Sequence, residues 1–176
     1  MTTSATIVFG QGRPFFEMVM SFLAATVGLG PLFDPTNPLD LSAAKVAWYR
    51  GKVKPALAID MQQVHRQCVS GVFSAEAAVK TLSCMLLNSA FEVAKNHNDR
   101  SPEFEVFRHL RNAASHGNRF AFAASEPRRP AAWSTLTIDE NLKGAANPLH
   151  GIECVGATVS PADVLGLLND IEVRLP

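Results

Sequence analysis

"SPEFEVFRHLRNAASHGNRF", Ser101 to Phe120, decides how the chain is read. Ser101 is a strong helix N-cap, Pro102 suits the first helical position, where its missing N–H costs nothing, and Glu103 favours the positive helix end. On a wheel of about 100° per residue, Val106, Phe107, Ala113 and Ala114 fall within roughly 60° of Leu110 and form a buried stripe. Arg108, Arg111, Asn112 and Ser115 gather on one side of the opposite face. His109 and His116 share the other side, with Asn112 close to His116.

Arg111 and His116 stand about 140° apart around an ideal helix. They converge on one small group only if the helix loosens near Gly117 or a second surface closes the gap. A symmetric partner would supply a second copy of both. The pairing has a chemistry. Histidine is the side chain whose ordinary pKa lets it give and take protons near neutrality. Arginine is a permanent cation with a planar fork that matches phosphate and the added charge of its transition state. With no acidic cluster nearby for Mg²⁺, the pair fits metal-independent RNA cleavage, in which a ribose 2′-OH attacks its own phosphate. His116 is then the base or acid, Arg111 the anion clamp, and Asn112 orients either one. Ser115 and Asn118 follow from the wheel as supporting residues.

Outward from this helix, helical signals dominate. A first helix of about 15 residues begins at Pro14. "PLFDPTNPLD", Pro31 to Asp40, reads as a loop by its prolines, with Gly28 and Gly30 weakening the helix before it. Asp40 is placed to cap a short helix, "LSAAKVAWYRGK", and "ALAIDMQQVHRQCVSGVF" repeats apolar residues at helical spacing up to Gly71. Ser74 caps the longest helix, with Val79, Leu82, Met85, Leu86 and Val93 on its apolar face. After the motif helix, residues 133–158 hold turn residues and the alternating Leu136 and Ile138, a loop with a small β-hairpin. Ser160-Pro161 opens a last helix with the stripe Val164, Leu167, Leu168, Ile171 and Leu175. A short extended piece, "ATIVF", precedes everything. The expectation is one mainly α domain over residues 1–176, an up-and-down helical bundle with a β-hairpin or irregular segment before the C-terminal helix.

Composition narrows the class. Apolar residues make up 47% and charged residues 18% of 176, a globular balance, and the formal net charge of zero removes the case for a generally basic nucleic-acid binder. Cys68, Cys84 and Cys154 are odd in number and far apart, which points to reduced thiols and an intracellular setting. His65 and Cys68 have metal-ligand spacing but no second pair, so no metal or cofactor is expected. "PFFEMVMSFLAATVGLGPLF", Pro14 to Phe33, approaches the length of a membrane span. Glu17 and the glycine–proline end argue instead for a buried core helix and a cytoplasmic protein with no membrane partner.

"LRNAASHGN", Leu110 to Asn118, resembles the RNxxxH signature of the HEPN superfamily, and the helical reading agrees with that family's bundle. The resemblance is specific over about ten residues and architectural over residues 14–122. "VSPADVLGLLNDIEVRL" is similar to the final helix of its plasmid- and defence-associated members. The resemblance implies a homodimer with two motifs facing one cleft, metal-independent endoribonuclease activity on RNA, and a toxin–antitoxin or phage-defence setting with an antitoxin or other protein partner. Arg111 and His116 become the catalytic pair. Some members bind RNA or proteins without cutting, so a non-catalytic dimeric module is the alternative.

Lys45, Arg50, Lys52, Lys54 and Arg66 face only Asp60 in charge, and this local excess suits RNA steering by Lys45, Arg50, Lys52 and Lys54, joined by Arg108 from the motif helix. Trp48 and Tyr49 within it fit core or interface packing better than base stacking. Arg128, Arg129 and His150 have no readable role.

Overall fold

A computed structural model describes residues 7, 9–36, 45–49, 55–139, 141 and 144–176, with the side chains of 45–49 and 55–59 outside that description. The protein is mainly helical. Its described elements run α1 (Phe16–Phe33), β1 (Lys45–Tyr49), β2 (Pro55–Asp60), α2 (Met61–Val69), α3 (Ala75–Ala94), α4 (Pro102–Ser115), β3 (Ala131–Trp133), β4 (Leu136–Ile138) and α5 (Pro161–Glu172). They gather into two compact units, one of Met1–Leu23 with Lys80–Pro176, the other of Ala24–Val79. The "ATIVF" piece falls largely outside the described residues.

Residues 24–79 hold the main departure from the helical expectation. The short helix expected after Asp40 is instead strand β1, paired antiparallel with β2 from Lys45↔Asp60 to Tyr49↔Pro55, with an irregularity between Trp48 and Tyr49. Val46, Trp48, Tyr49 and Ile59 are β-branched or aromatic, and cross-strand pairing outweighs a helical spacing read over a few residues. Pro55 takes the first position of β2, where a missing N–H is tolerated. The expected second helix therefore starts late. Asp60 ends the strand and caps α2, its Oδ1 accepting from Gln62 N at 2.9 Å and Gln63 N at 3.2 Å. Gly71, at φ +76°, closes that turn as expected.

α1 corrects two further expectations. It continues through Gly28, Gly30 and Pro31 to Phe33, because a proline in the last turn forfeits a single hydrogen bond. Nor is it a buried core helix. Phe15 just before it, with Val19 and Phe22, is buried, whereas Met20, Leu23 and Val27 are 47%, 38% and 78% exposed. By length and composition α1 could cross a membrane, the one such helix among the described residues.

The core of the larger unit is built on α3, α4 and α5. Ser74 Oγ accepts from Ala77 N at 3.1 Å and starts α3 as read. Its buried face is rotated from the expected one: Ser83, Leu86, Leu87, Ala90 and Ala94 face inward, while Met85 is 60% and Val93 44% exposed. Phe91 packs against Phe104 and Phe107 of α4, with centroids 6.1 and 5.3 Å apart.

The expected starts of α4 and α5 and most of their apolar stripes agree with the structure, Ala114 being only half-buried. Ser101 Oγ accepts from Phe104 N at 3.3 Å, Pro102 opens α4, and Val106, Phe107, Leu110 and Ala113 are fully buried. Ser160 and Asp163 form a capping box on α5, and Val164, Leu167, Leu168, Ile171 and Leu175 are all buried. β3 and β4 form the expected small hairpin, in register Ala131↔Ile138 to Trp133↔Leu136. Glu172 ties the chain ends together: its Oε1 accepts from Phe15 N at 2.7 Å, and its carbonyl accepts from Arg13 Nη2 at 2.7 Å.

Candidate functional site

α4 ends at Ser115. His116 is the C-cap, its N–H donating to Asn112 and Ala113 carbonyls, and Gly117 follows at φ +68°, the left-handed position that glycine fills without strain. The His116 side chain leaves the helix exposed, with no partner among the described residues. Arg111, one turn earlier, lies over the Phe91 ring with Cζ 5.2 Å from the centroid. Its Nη2 donates to Glu92 Oε1 at 3.2 Å and its Nη1 to Asn112 Oδ1 at 3.4 Å, while Nε is buried with no hydrogen-bond partner. Glu92 is held below the usual carboxylate range, first by Lys95 and then by Arg111. Ser115 Oγ donates to Asn88 Oδ1 on α3 at 2.7 Å. Arg111 and Asn112 are thus in contact, Ser115 faces α3, and His116 stands alone in solvent at the helix end.

Two expected site residues are spent elsewhere. Asn118, at φ +62°, turns its carboxamide to the backbone of a later segment. Its Oδ1 accepts from Val155 N at 2.8 Å and its Nδ2 donates to Val155 O at 2.9 Å. This pairing, continued by Phe120 N to Ile152 O and Gly151 N to Phe120 O, lays residues 150–155 along the stretch that leaves the motif helix. Arg108 is engaged inward. Its Nε donates to the fully buried Glu105 at 2.8 Å, its Nη1 to Glu126 at 3.3 Å, and its Nη2 meets His109 Nε2 at 3.0 Å. Guanidinium only donates, so His109 Nε2 accepts and the ring proton sits on Nδ1, 3.6 Å from Glu126 Oε2. His109 is therefore buried, against the wheel, because residues 120–126 return over this face with Phe122 and Glu126. Arg129, without a readable role in the sequence, completes the network by donating to Glu105 Oε1 at 2.9 Å. His150 accepts from Phe122 N at 3.4 Å.

Of the basic patch, the Lys45 side chain and Arg50, Lys52 and Lys54 lie outside the described residues, as do the side chains of Trp48 and Tyr49. His65 and Cys68 both lie on α2, and among the described residues no three His, Cys, Asp or Glu side chains gather as metal ligands.

Sequence reading missed the wall beside the motif. Lys80 on α3 reaches Glu153 Oε1 at 3.1 Å, which Asn118 Nδ2 also approaches at 3.4 Å. The lysine stem lies so close over Gly156, at φ +113°, that a Cβ there would overlap Lys80 Cε. Gly156→Ala is expected to lower stability by about 1–3 kcal/mol, from strained backbone plus displacement of Lys80. Urea unfolding checks it, and a wild-type midpoint would show that this backbone relaxes freely.

Behind this wall, burial pushes the Cys154 thiol up to about 12, with Cys84 and Glu153 adding to the effect. Burial, then Glu153, also raises Cys84. Both therefore stay protonated at neutral pH. An unfolded Cys154 ionises near its ordinary value while the folded one keeps its proton, so stability falls as pH rises from about 9 towards 12, at about 1.4 kcal/mol per pH unit for this group. Cys154→Ala is expected to be less stable at pH 7 but to lose stability less steeply over that window. Parallel slopes in urea titrations would overturn this assignment.

No family model, curated protein or solved structure matches the chain.

Proposed function

We propose that the protein is a metal-independent endoribonuclease of the HEPN kind, acting as a homodimer in the cytoplasm as a toxin or defence effector. One observation carries the reading: the last turns of a single helix and its C-cap carry a guanidinium with uncommitted donors and an exposed imidazole. Arg111 rests on Phe91, gives one N–H each to Glu92 and Asn112, and has further N–H groups with no partner among the described residues. Its pair with Glu92 is half in solvent and screened by water, so a phosphate offering two oxygens to the fork can displace it.

In the reaction, a ribose 2′-oxygen forms a bond to the adjacent phosphorus as the bond from phosphorus to the 5′-oxygen breaks. One general base takes the 2′-OH proton and one general acid supplies a proton to the leaving 5′-oxygen. His116 from each of two chains fills these roles, and Arg111 binds the non-bridging oxygens as charge builds on them. The products are a 2′,3′-cyclic phosphate and a 5′-hydroxyl. Asn112 holds Arg111 in place through its Oδ1.

The Glu92 contact favours a second reading, a module that binds RNA or a partner protein without cutting, because Arg111 already has a carboxylate partner within one chain. Incubating purified protein with RNA in excess EDTA separates the two. Cutting that persists in EDTA is expected; cutting that needs added Mg²⁺ would overturn the metal-independent mechanism, and binding without cutting would favour the module.

A further inference from the structure

We infer that Arg119 is a second phosphate contact for the RNA, holding the strand beside the phosphate that is cut. This rests on the RNA-cleaving reading above and names a further substrate-positioning residue of the same site. Arg119 follows His116 by three residues, across Gly117 and Asn118, and is exposed, as His116 is. Three residues of fully extended chain reach at most about 11 Å, so the two Cα atoms lie within that distance of each other. Arg119 stands beyond the end of α4, where a helical wheel does not extend.

What sets Arg119 apart is the kind of partner it has. Its Nη1 donates to the Gly151 carbonyl at 2.7 Å, and among the described residues no carboxylate pairs with it. Arg108 and Arg129 are matched by Glu105, Arg174 by Asp99 and Glu103, and Arg111 by Glu92. Glu153, across an isolated antiparallel bridge from Arg119, is met by Lys80 at 3.1 Å and Asn118 at 3.4 Å instead. A carbonyl is neutral, so it fixes the guanidinium without cancelling its charge and leaves the rest of the donor fork for a ligand. The anchor is itself held. Gly151 N donates to Phe120 O at 2.8 Å and Phe120 N to Ile152 O at 3.0 Å, while Asn118 bonds both polar backbone groups of Val155. Part of the ordering cost of binding is therefore already met by the fold. A planar cation held in this way suits phosphate oxygens, and in a chain of zero net charge an uncancelled local charge decides where a polyanion rests. The contact carries no base preference, because every nucleotide presents the same phosphate.

Binding is read by anisotropy over a range of KCl, using a fluorescent single-stranded RNA with 2′-O-methyl groups, which cannot be cut by 2′-OH attack. Cleavage is read as single-turnover rates on the unmodified RNA. Wild type is compared with Arg119→Gln, Arg119→Lys and Arg100→Gln, each checked for folding by circular dichroism. Arg100 is the control, an exposed arginine at the far end of α4, whose 14 residues rise about 21 Å. Arg119→Gln is expected to bind about tenfold more weakly and to need about tenfold more RNA for half its maximal rate, with the saturating rate within about twofold of wild type. Its log–log dependence of affinity on salt is expected to be shallower by about 0.7, the share of one phosphate on a single strand. Arg119→Lys is expected to keep the wild-type slope, and Arg100→Gln to match wild type throughout. An unchanged slope in Arg119→Gln overturns the contact, since a loosened segment would weaken binding without changing the number of phosphates neutralised. A loss confined to the saturating rate, or an equal fall of slope in Arg100→Gln, overturns it too. Each of these leaves the ribonuclease reading standing. Wild type that binds with the expected slopes but does not cut keeps Arg119 as an RNA contact and overturns the ribonuclease reading, and wild type that binds no RNA takes down both.

Discussion

His116→Ala is expected to lower RNA cleavage by at least about 100-fold, the ordinary contribution of a positioned general acid or base, with the fold intact because the side chain is exposed. Arg111→Ala is expected to lose about as much, for another reason: a transition-state charge would go without its clamp. Arg111→Lys tells clamp from mere charge. A lysine keeps the cation but loses the planar fork and its stacking on Phe91, so partial activity is expected, between wild type and Arg111→Ala. Single-turnover rates on one RNA measure all three. Equal rates in wild type and both alanine variants would assign the cutting to another site.

Glu105→Ala carries the largest expected effect on stability. Glu105 is fully buried at the centre of α4's inner polar cluster, and two arginines converge on its carboxylate at 2.8 and 2.9 Å. Removing it leaves Arg108 with only Glu126 and His109, and Arg129 without its carboxylate, and breaking a buried pair from one side costs about 3–5 kcal/mol. Urea unfolding is the measurement, and a loss under about 1 kcal/mol would mean that water and the existing Arg108–Glu126 pair compensate for the lost carboxylate. The same group sets an acid limit. Burial alone would raise its pKa, but hydrogen bonds and charge from Arg129 and Arg108 outweigh burial and hold it below the usual carboxylate range. Its folded pKa is depressed, so its stabilisation is present above the ordinary carboxylate range and lost as pH falls through the folded value. Glu105→Gln is expected to be less stable at neutral pH and flatter in acid.

What was legible in the sequence was local. Ser74, Ser101-Pro102 and Ser160-Pro161 mark helix starts through atoms within three residues, and the α5 stripe has one face to choose. What was not legible depends on partners far away in the chain. β1 forms because β2 pairs with it, and no window over Lys45–Tyr49 contains that strand. His109 and Arg108 look solvent-facing on a wheel until Glu126 and Arg129 arrive from the far side of a turn. The candidate site divides in the same way. Arg111, Asn112 and His116 follow from spacing alone, whereas the commitment of Asn118 to Val155 and the wall of Lys80 and Glu153 need residues 150–156 laid beside the helix end.

The most direct test of 2′-OH attack at this site uses one RNA whose cut position is known, and a second copy with a single 2′-deoxy substitution at the nucleotide that carries the attacking hydroxyl. Loss of that one cut, with cyclic phosphate and 5′-hydroxyl ends on the unsubstituted RNA, is the expected result. Continued cutting at the substituted position would contradict it, since a nucleotide without the hydroxyl has no internal nucleophile for His116 to activate.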